Sequence, residues 1–244
     1  MKVCLIMAVS HAGVTAHIRD SFLQRLEALA PKATVDQFVL PRDGPPFCLG
    51  CKQCFIKDMD ACPHYGTTGG IWKAMLACDL LVFILPTYVF GVPGQLKTLL
   101  DHFGGRWIVH KPSPQMLTKR ALIINQAMGA GLGSTVRQLR SNLLFWGTSC
   151  VRALTTRVME MHYDLVSPRV INRLNQQIDR EIIRALRGSP RPGFKAKALY
   201  RGMALGQRII KRSQDKKGQT TTSDYTFWQQ QGWLKGQFPW KQKA

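Results

Sequence analysis

The sequence predicts an α/β protein in which helices cover both faces of a doubly wound, five-stranded parallel sheet. Two apolar runs, residues 3–9 and 80–85, lack the polar alternation of a half-exposed strand and are typical of strands buried on both faces. Segments with helical periodicity alternate with five predicted strands, which indicates right-handed crossovers between parallel neighbours. A hydrophobic content of 45% over 244 residues excludes wholesale disorder and accommodates one α/β domain with an extension, or two small domains.

The predicted elements follow in a regular order. The strands are residues 3–9, 33–40, 80–85, 119–126 and 150–158. Apolar residues at helical spacing predict a helix after the first strand, with Ile18, Phe22, Leu26 and Leu29 on one face. Further helices are predicted at residues 68–77, after Pro93, and before Gly147.

The loop after the first strand suits a phosphate. It leads from Ser10 through Gly13 and Val14 to Thr15, where a helix begins. The first amides of a helix lack partners and its dipole favours an anion, so we expect a phosphate site with added hydroxyl donors. The sequence has no G-x-x-x-x-G-K-S/T motif, so a nucleoside triphosphate is not supported. His11 is expected to lie near the ligand without acting as a base.

The loop after the third strand, residues 86–91, suits a planar ligand. It places two aromatic rings, a hydroxyl group and a glycine at the carboxyl end of that strand. Ligands of open α/β sheets bind at this edge. Flat aromatic groups beside backbone amides suit a partly polar ring such as a flavin. Taken alone, the segment also fits an ordinary strand–loop–helix connection with core aromatics.

The loop after the fourth strand is rich in glycine. Gly129, Gly131 and Gly133 differ in spacing from the G-x-G-x-x-G dinucleotide fingerprint, but they allow backbone to approach a ligand closely. A flexible connection is the alternative. In the sheet order 2-1-3-4-5 the first, third and fourth strands are neighbours, so the three loops are expected to converge.

Four cysteines form the most specific motif of the chain. Cys48, Cys51, Cys54 and Cys62 have the spacing C-x2-C-x2-C-x7-C, which predicts ligation of a 4Fe-4S cluster. Zinc held by four thiolates is the competing interpretation. His64 is an alternative zinc ligand, although we expect it to be solvent-exposed. The remaining alternative is four reduced cysteines that bind nothing.

Positive charge is concentrated in the C-terminal third. The formal net charge is +20; residues 1–150 carry 15 Lys+Arg against 8 Asp+Glu, and residues 151–244 carry 19 against 6. The first part therefore contributes +7 and the second +13. Such basicity raises the alternatives of an RNA-bound or membrane-surface protein.

The C-terminal third is predicted to form two basic amphipathic helices, residues 167–186 and 194–210, followed by a loose polar segment, 211–223. The tail then carries five large aromatic residues, Phe227, Trp228, Trp233, Phe238 and Trp240. Docking on a membrane surface or an RNA backbone is one interpretation. We expect instead that the tail folds back onto the domain or a partner subunit, because burial of aromatics stabilises it.

The cysteine count and the hydropathy pattern predict a cytoplasmic protein. Seven cysteines are an odd number, and residues 1–9 read as a strand rather than a signal peptide. No apolar run reaches transmembrane length. Three cysteines outside the motif, Cys4, Cys78 and Cys150, are expected to fill the core.

The order of these segments resembles the NAD(P)H-dependent FMN reductases of the flavodoxin-like fold, and within them the branch that contains iron–sulfur flavoproteins. The resemblance rests on the small-residue loop, the C-x2-C-x2-C segment, PTYVFGVPGQLKTLLDHF and NQAMGAGLGS. It implies an FMN-binding domain at residues 1–160 with a cysteine-rich insertion at 47–66. Residues 161–244 would then form a basic helical extension.

The resemblance also implies a cofactor site. The FMN phosphate would contact Ser10, Gly13, Val14 and Thr15. The ring and ribityl chain would lie along Pro86, Thr87, Tyr88, Val89, Phe90 and Gly91. Ala127, Met128 and Gly129 would flank the pyrimidine side of the flavin.

The implied activity is NAD(P)H-dependent reduction of FMN, with electrons passed to a quinone, a free flavin or an iron–sulfur protein such as a ferredoxin. Hydride transfer to a flavin needs no acid or base side chain, so no catalytic residue is named. A homo-oligomer is expected, with the tail beside the active site. The alternatives are an iron–sulfur flavoprotein that acts as an electron carrier or redox sensor, and an RNA- or membrane-associated scaffold.

Overall fold

Five parallel strands form one sheet in the computed structural model, which describes residues 1–148, 150–160, 162–188 and 190–241. The strand order is β2-β1-β3-β4-β5. The strands are β1 (Lys2–Met7), β2 (Thr34–Val39), β3 (Leu80–Pro86), β4 (Arg120–Ala127) and β5 (Cys150–Arg157). This confirms the predicted doubly wound, flavodoxin-like sheet of order 2-1-3-4-5.

Four of the first five helices cover the two faces of the sheet, and the short second helix lies in the cysteine segment. The five are α1 (Val14–Leu29), α2 (Gln53–Ile56), α3 (Tyr65–Ala77), α4 (Gly94–His102) and α5 (Leu132–Phe145). Side chains alternate across each strand, so β1 directs Cys4 and Ile6 towards α3, α4 and α5, and Val3 and Leu5 towards α1. All seven residues of β3 are buried, which accounts for the unbroken apolar run in the sequence.

The C-terminal third packs on both sides of this core. Helix α6 (Pro168–Leu186) contacts α1 and β5, whereas α7 (Phe194–Lys216) contacts α5. Helix α8 (Ser223–Gln230) packs against α7 and the short α2. The last part of the chain therefore covers one face of the sheet with α6 and reaches the opposite face with α7 and α8.

The prediction of a loose segment over residues 211–223 is wrong for its first half. Helix α7 continues to Lys216, and Lys211 forms an ion pair with Asp215 one turn later. Lysine, arginine and glutamine are good helix formers, so a polar composition does not end a helix. Gly218, at φ +63°, lies just beyond the helix end, which is where a left-handed glycine is favoured.

The aromatic tail lies against α7. Trp228 and Trp233 are buried and pack on Tyr200 with ring centroids 5.7 and 5.3 Å away. The indole of Trp228 donates a hydrogen bond to the carbonyl of His110 at 2.7 Å. Across the described residues, no helix is both long enough and apolar enough to span a membrane.

Candidate functional site

A cavity of about 510 Å³ opens at the carboxyl ends of β1, β3 and β4. At this edge the loops after β1 and β3 lead to helices on opposite faces of the sheet, which makes it the topological switch point where ligands of doubly wound sheets bind. Eleven of the thirteen predicted cofactor residues line it, namely Gly13, Val14, Thr15, Pro86, Thr87, Tyr88, Val89, Phe90, Ala127, Met128 and Gly129. The three loops therefore converge as the strand order required.

The first wall of the cavity is the amino terminus of α1. Gly13 is the N-cap residue, and no side chain caps the helix. Val14 and Thr15 begin the helix and are buried beside the cavity. Because the first-turn amides of a helix have no intrahelical acceptors, this wall offers donors and a positive dipole end to an anion.

The second wall is a tight turn after β3. Tyr88 and Gly91 exchange two backbone hydrogen bonds of 3.0 and 2.9 Å. The two residues between them, Val89 and Phe90, have φ of +46° and +61°. Positive φ is costly for a β-branched or bulky residue, and such strain is retained mainly at functional sites. The hydroxyl of Ser134 donates to the carbonyl of Phe90 at 2.6 Å and supports the turn.

The third wall follows β4 and is joined to the other two by polar side chains. The hydroxyl of Thr87 donates to Oδ1 of the fully buried Asn125 at 3.1 Å. The amide of Gln126 donates to Oγ1 of Thr15 at 3.4 Å, a long contact between β4 and α1. Oε1 of Gln126 is buried and has no hydrogen-bond partner among the described residues. A buried acceptor without a partner at a cavity wall is suited to a ligand N–H.

Two predicted cofactor residues do not line the cavity. Ser10 is exposed beyond its rim, and the backbone of Gly91 is occupied in the turn with Tyr88. Six lining residues were absent from the sequence-based set: His11, Ala12, Gln126, Ala130, Val158 and Glu160. Four of them adjoin predicted residues in the chain. Val158 and Glu160 follow β5, and only the order of the strands in the sheet brings them to this edge.

The lining residues fit FMN. The helix terminus offers donors for a phosphate, the turn offers apolar surface for a ring, and Gln126 offers an acceptor for an imide N–H. The volume lies within the range of small-molecule and cofactor sites, about 300–1,000 Å³. FMN could therefore supply hydride chemistry in this cavity while the chain supplies position and electrostatics.

The cysteine segment forms a separate cluster beside the end of α4. Cys48 and Cys51 are exposed, whereas Cys54 and Cys62 are half-buried. Burial raises the pKa of the Cys54 thiol, and the neighbouring cysteines, Cys62 foremost, raise it further. Cys62, Cys48 and Cys51 therefore each lie within electrostatic reach of Cys54.

Positive side chains hold the cysteine segment in place. Arg106 pairs with Asp58 at 3.4 Å, and the buried Lys111 donates to the carbonyl of Lys57. Ser223, at the start of α8, donates to the carbonyl of Phe55 at 2.6 Å. The tail thus lies beside the cysteine segment, and none of its described residues lines the cavity.

The expectation of a solvent-exposed His64 is wrong. His64 is half-buried because its ring packs edge-on against the buried His102, with centroids 5.2 Å apart. His102 is the last residue of α4, and its Nδ1 lies 3.8 Å from Sγ of Cys62. Sequence reasoning missed His102 because it lies 40 residues from Cys62 in the chain.

Comparison with known proteins relates the chain to flavin enzymes. An FMN-dependent NADH:quinone oxidoreductase of Cereibacter sphaeroides is 31% identical over 133 residues, which are 50% of this chain and 68% of that protein. An FMN-dependent NADH:quinone oxidoreductase 2 of Pseudomonas syringae pv. tomato is 25% identical over 138 residues, 50% of this chain and 64% of that protein. An iron–sulfur flavoprotein of Methanocaldococcus jannaschii is 35% identical over 69 residues, 28% of this chain and 34% of that protein. The chain thus spans about two thirds of the length of the two quinone oxidoreductases.

Solved structures share the fold. An azoreductase from Bacillus anthracis str. Sterne superposes with a TM-score of 0.59 at 16% identity, covering 75% of this chain and 98% of that chain. An FMN-dependent NADH-azoreductase of the same species, in complex with FMN, superposes with a TM-score of 0.57 at 14% identity. The match covers 75% of this chain and 99% of that chain. The family model described as NADPH-dependent FMN reductase matches residues 1–158. The chain therefore belongs to the NADPH-dependent FMN reductase family, which confirms the predicted FMN-dependent oxidoreductase.

Proposed function

We propose that this chain uses FMN to pass reducing equivalents from NAD(P)H to a quinone-class acceptor. Family membership over residues 1–158 supports the flavin chemistry. The names of two relatives, both FMN-dependent NADH:quinone oxidoreductases, support the acceptor class. The observation that carries the proposal is the cavity of about 510 Å³ at the switch point of the sheet, lined jointly by three loops.

The three loops would each hold one part of the cofactor. We assign the phosphate to Gly13, Val14 and Thr15 at the start of α1, with the exposed Ser10 as a further hydroxyl donor from the same loop. The ring and ribityl chain are assigned to residues 86–91, whose turn accepts a hydrogen bond from the hydroxyl of Ser134. Residues 127–129 are assigned to the pyrimidine edge, with the free Oε1 of Gln126 as a further acceptor. No side chain is assigned a proton transfer.

A second copy of the chain is proposed to cover the mouth of the cavity. Val89 is 97% exposed and Phe90 66% exposed, although both are apolar. Large exposed apolar groups beside a site are typical of interaction surfaces. We expect sedimentation equilibrium to give a dimer and Val89→Asp to shift it towards monomer. A wild-type monomer at micromolar concentration would contradict this interface.

The sequence raised membrane contact by the C-terminal tail, but Trp228 and Trp233 of the tail are buried, so we propose contact with an anionic membrane surface for α7 instead. Phe194, Leu205 and Ile209 recur at helical spacing on its exposed side, and Arg201 and Arg208 flank them. An apolar stripe between arginines suits a surface of anionic lipid, where lipid-soluble quinones reside. Co-sedimentation with anionic vesicles at physiological salt should be lost in Leu205→Glu/Ile209→Glu. Equal binding by that variant would contradict the contact.

Three further predictions stay proposals. The first is that a 4Fe-4S cluster is bound by Cys48, Cys51, Cys54 and Cys62. The proposal of a ferredoxin-like partner depends on that cluster. A cytoplasmic location is another, and it suits a chain with seven free thiols. The third is the division into an FMN-binding domain, residues 1–160, and a packing extension, 161–244.

Anaerobic reduction of the FMN-loaded protein tests the function. We expect NADPH or NADH to bleach the flavin absorbance within the time of a catalytic turnover, and a soluble quinone to restore it. Steady-state oxidation of NAD(P)H should then depend on quinone concentration. A flavin that stays oxidised for minutes with both nucleotides, or a reduced flavin that the quinone leaves unchanged, would contradict the proposal.

A further inference from the structure

Cys62, His64 and His102 form a group of metal-ligand atoms outside the FMN cavity. One ligand atom from each residue lies within 4.8 Å of the others, the one such group found in the described parts of the chain. Sγ of Cys62 and Nδ1 of His102 are 3.8 Å apart. A tetrahedral zinc ion with a bond of about 2.3 Å to sulfur and about 2.05 Å to nitrogen would hold such a pair about 3.6 Å apart. The side chains therefore need to move little to share one ion.

The tautomer of His102 suits a ligand. Its Nε2 lies 2.8 Å from the carbonyl oxygen of Pro46. A carbonyl can only accept, so Nε2 carries the hydrogen and the neutral ring keeps a lone pair on Nδ1. That lone pair lies on the side of Cys62. A histidine whose second nitrogen donates to a backbone carbonyl is the usual arrangement at metal sites.

The three residues are fixed by regular structure. Cys62 ends the 3-10 turn Met59–Ala61, and its carbonyl accepts a hydrogen bond of 2.9 Å from the amide of Tyr65. His64 is the N-cap residue of α3, and its carbonyl accepts from the amide and hydroxyl of Thr68. His102 is only 3% exposed at the end of α4. The backbone of the group is therefore organised without an ion.

We propose that Cys62, His64 and His102 bind one zinc-like divalent ion, with a water molecule in the fourth position. One thiolate and two imidazoles form a ligand set that zinc and other borderline metals accept. The half-buried Cys62 and His64 leave one side open to water. The ion would join the cysteine segment to the start of α3 and the end of α4. It would compete with the predicted four-cysteine cluster for Cys62, and it does not depend on the proposed quinone reduction.

Metal titration of the 244-residue chain tests this site. The chelator-treated protein is titrated with Co²⁺ as a spectroscopic probe and with Zn²⁺ in competition. We expect one equivalent to bind, with a thiolate-to-cobalt band and tetrahedral visible bands. His64→Gln and Cys62→Ser should each weaken binding by at least about 100-fold, more than the loss typical of outer-shell partners. Zinc should also raise the Tm of the wild type and leave that of both variants unchanged.

The double variant Cys48→Ser/Cys51→Ser is the matched control. Both cysteines are exposed and belong to the four-cysteine set alone, so we expect zinc affinity within about threefold of the wild type. Circular dichroism verifies that each variant is folded. Loss of binding in the double variant, unchanged binding in His64→Gln, or a wild type that binds no zinc would each overturn the proposal. If His64→Gln still contains iron and labile sulfide and the double variant does not, Cys62 is a ligand of an iron–sulfur cluster instead.

Discussion

At the scale of single residues, Gly131 allows two walls of the cavity to meet. Its φ is +91°, and a Cβ at this position would lie 2.8 Å from Cγ2 of Thr87 and 3.0 Å from Cα of Phe90. The glycine thus permits both the left-handed backbone at the start of α5 and the close approach of the strained turn after β3.

Gly131→Ala is therefore expected to lower the free energy of unfolding by about 1–3 kcal/mol, since it adds backbone strain and a collision with main-chain atoms. Chemical denaturation measures this change. Gly133→Ala is the matched control, because a Cβ there meets nothing within 4 Å and the residue lies inside α5. A loss as large in the control as in Gly131→Ala would contradict the steric explanation.

Thiol environments differ sharply along the chain. Burial raises the pKa of Cys78 to about 11, and it raises the pKa of the fully buried Cys4 as well. At pH 8 about one Cys78 thiol in a thousand is then a thiolate, the form that reacts with alkylating agents. Cys48 and Cys51 are exposed.

Timed alkylation with mass spectrometry should therefore label Cys48 and Cys51 at least about 100-fold faster than Cys4 and Cys78 in the metal-free native protein. The denatured protein is the control, in which all four should react at similar rates. Rapid native labelling of Cys78 would show that the core opens on the time scale of the reaction.

Loop composition together with the family resemblance predicted most of the cavity but not all of it. Gly13, Tyr88 and Gly129 could be found because each follows a buried strand in a loop with a recognisable composition. Glu160 follows the edge strand β5, which has no such loop signal. His102 could not be connected to Cys62 because only tertiary packing brings them together.

At the scale of elements, helix α8 attaches the tail to the core. Trp228 is fully buried, packs on Trp233 with ring centroids 5.1 Å apart, and donates to His110. Asp224 on the same helix lies 2.7 Å from Nδ1 of His110. Ser223, at the start of the helix, donates to the carbonyl of Phe55 in the cysteine segment, so we expect loss of the helix to disturb that segment before the FMN cavity.

Trp228→Ala is expected to lower the free energy of unfolding by about 3–5 kcal/mol, because it leaves a large cavity and removes a buried hydrogen bond. Phe194→Ala is the control: its side chain is 81% exposed, so we expect a change within about 0.5 kcal/mol. Equal effects of the two substitutions would contradict the packing of the tail. FMN affinity should fall less than tenfold in folded Trp228→Ala.

The bounds of β3 and of the basic helix α6 were predicted to within one residue, whereas the end of α7 was not. The unbroken apolar run of β3 indicates a strand buried on both faces. The observed strand, Leu80–Pro86, differs from the predicted range 80–85 by one residue. The end of α7 was misplaced because polar residues occur both in exposed helices and in loops. Periodicity needs an apolar face to mark a helix, and the last turns of α7 are largely exposed.

At the scale of the whole molecule, charge and fold are distributed differently. The family-matched residues 1–158 contain the sheet and every lining residue of the cavity except Glu160, whereas most of the net charge of +20 lies beyond residue 150. The fold was predictable from the order of strands and helices, and the flavin-dependent chemistry from the loop composition together with the family resemblance. The metal-ligand group depends on side chains from two distant helix ends, for which the sequence contains no spacing rule.

The central claim is that three loops, distant in sequence, form one FMN site. Fluorescence-quenching titration of the apoprotein with FMN tests it most directly, using one variant in each loop: Thr15→Val, Tyr88→Ser and Gly129→Leu. Lys32→Ala is the control, because Lys32 is exposed and precedes β2 at the amino-terminal ends of the strands, away from the cavity. We expect each loop variant to weaken FMN binding by about tenfold or more, and the control to bind like the wild type. A wild type that does not bind FMN, or a loss confined to one loop, would contradict the account.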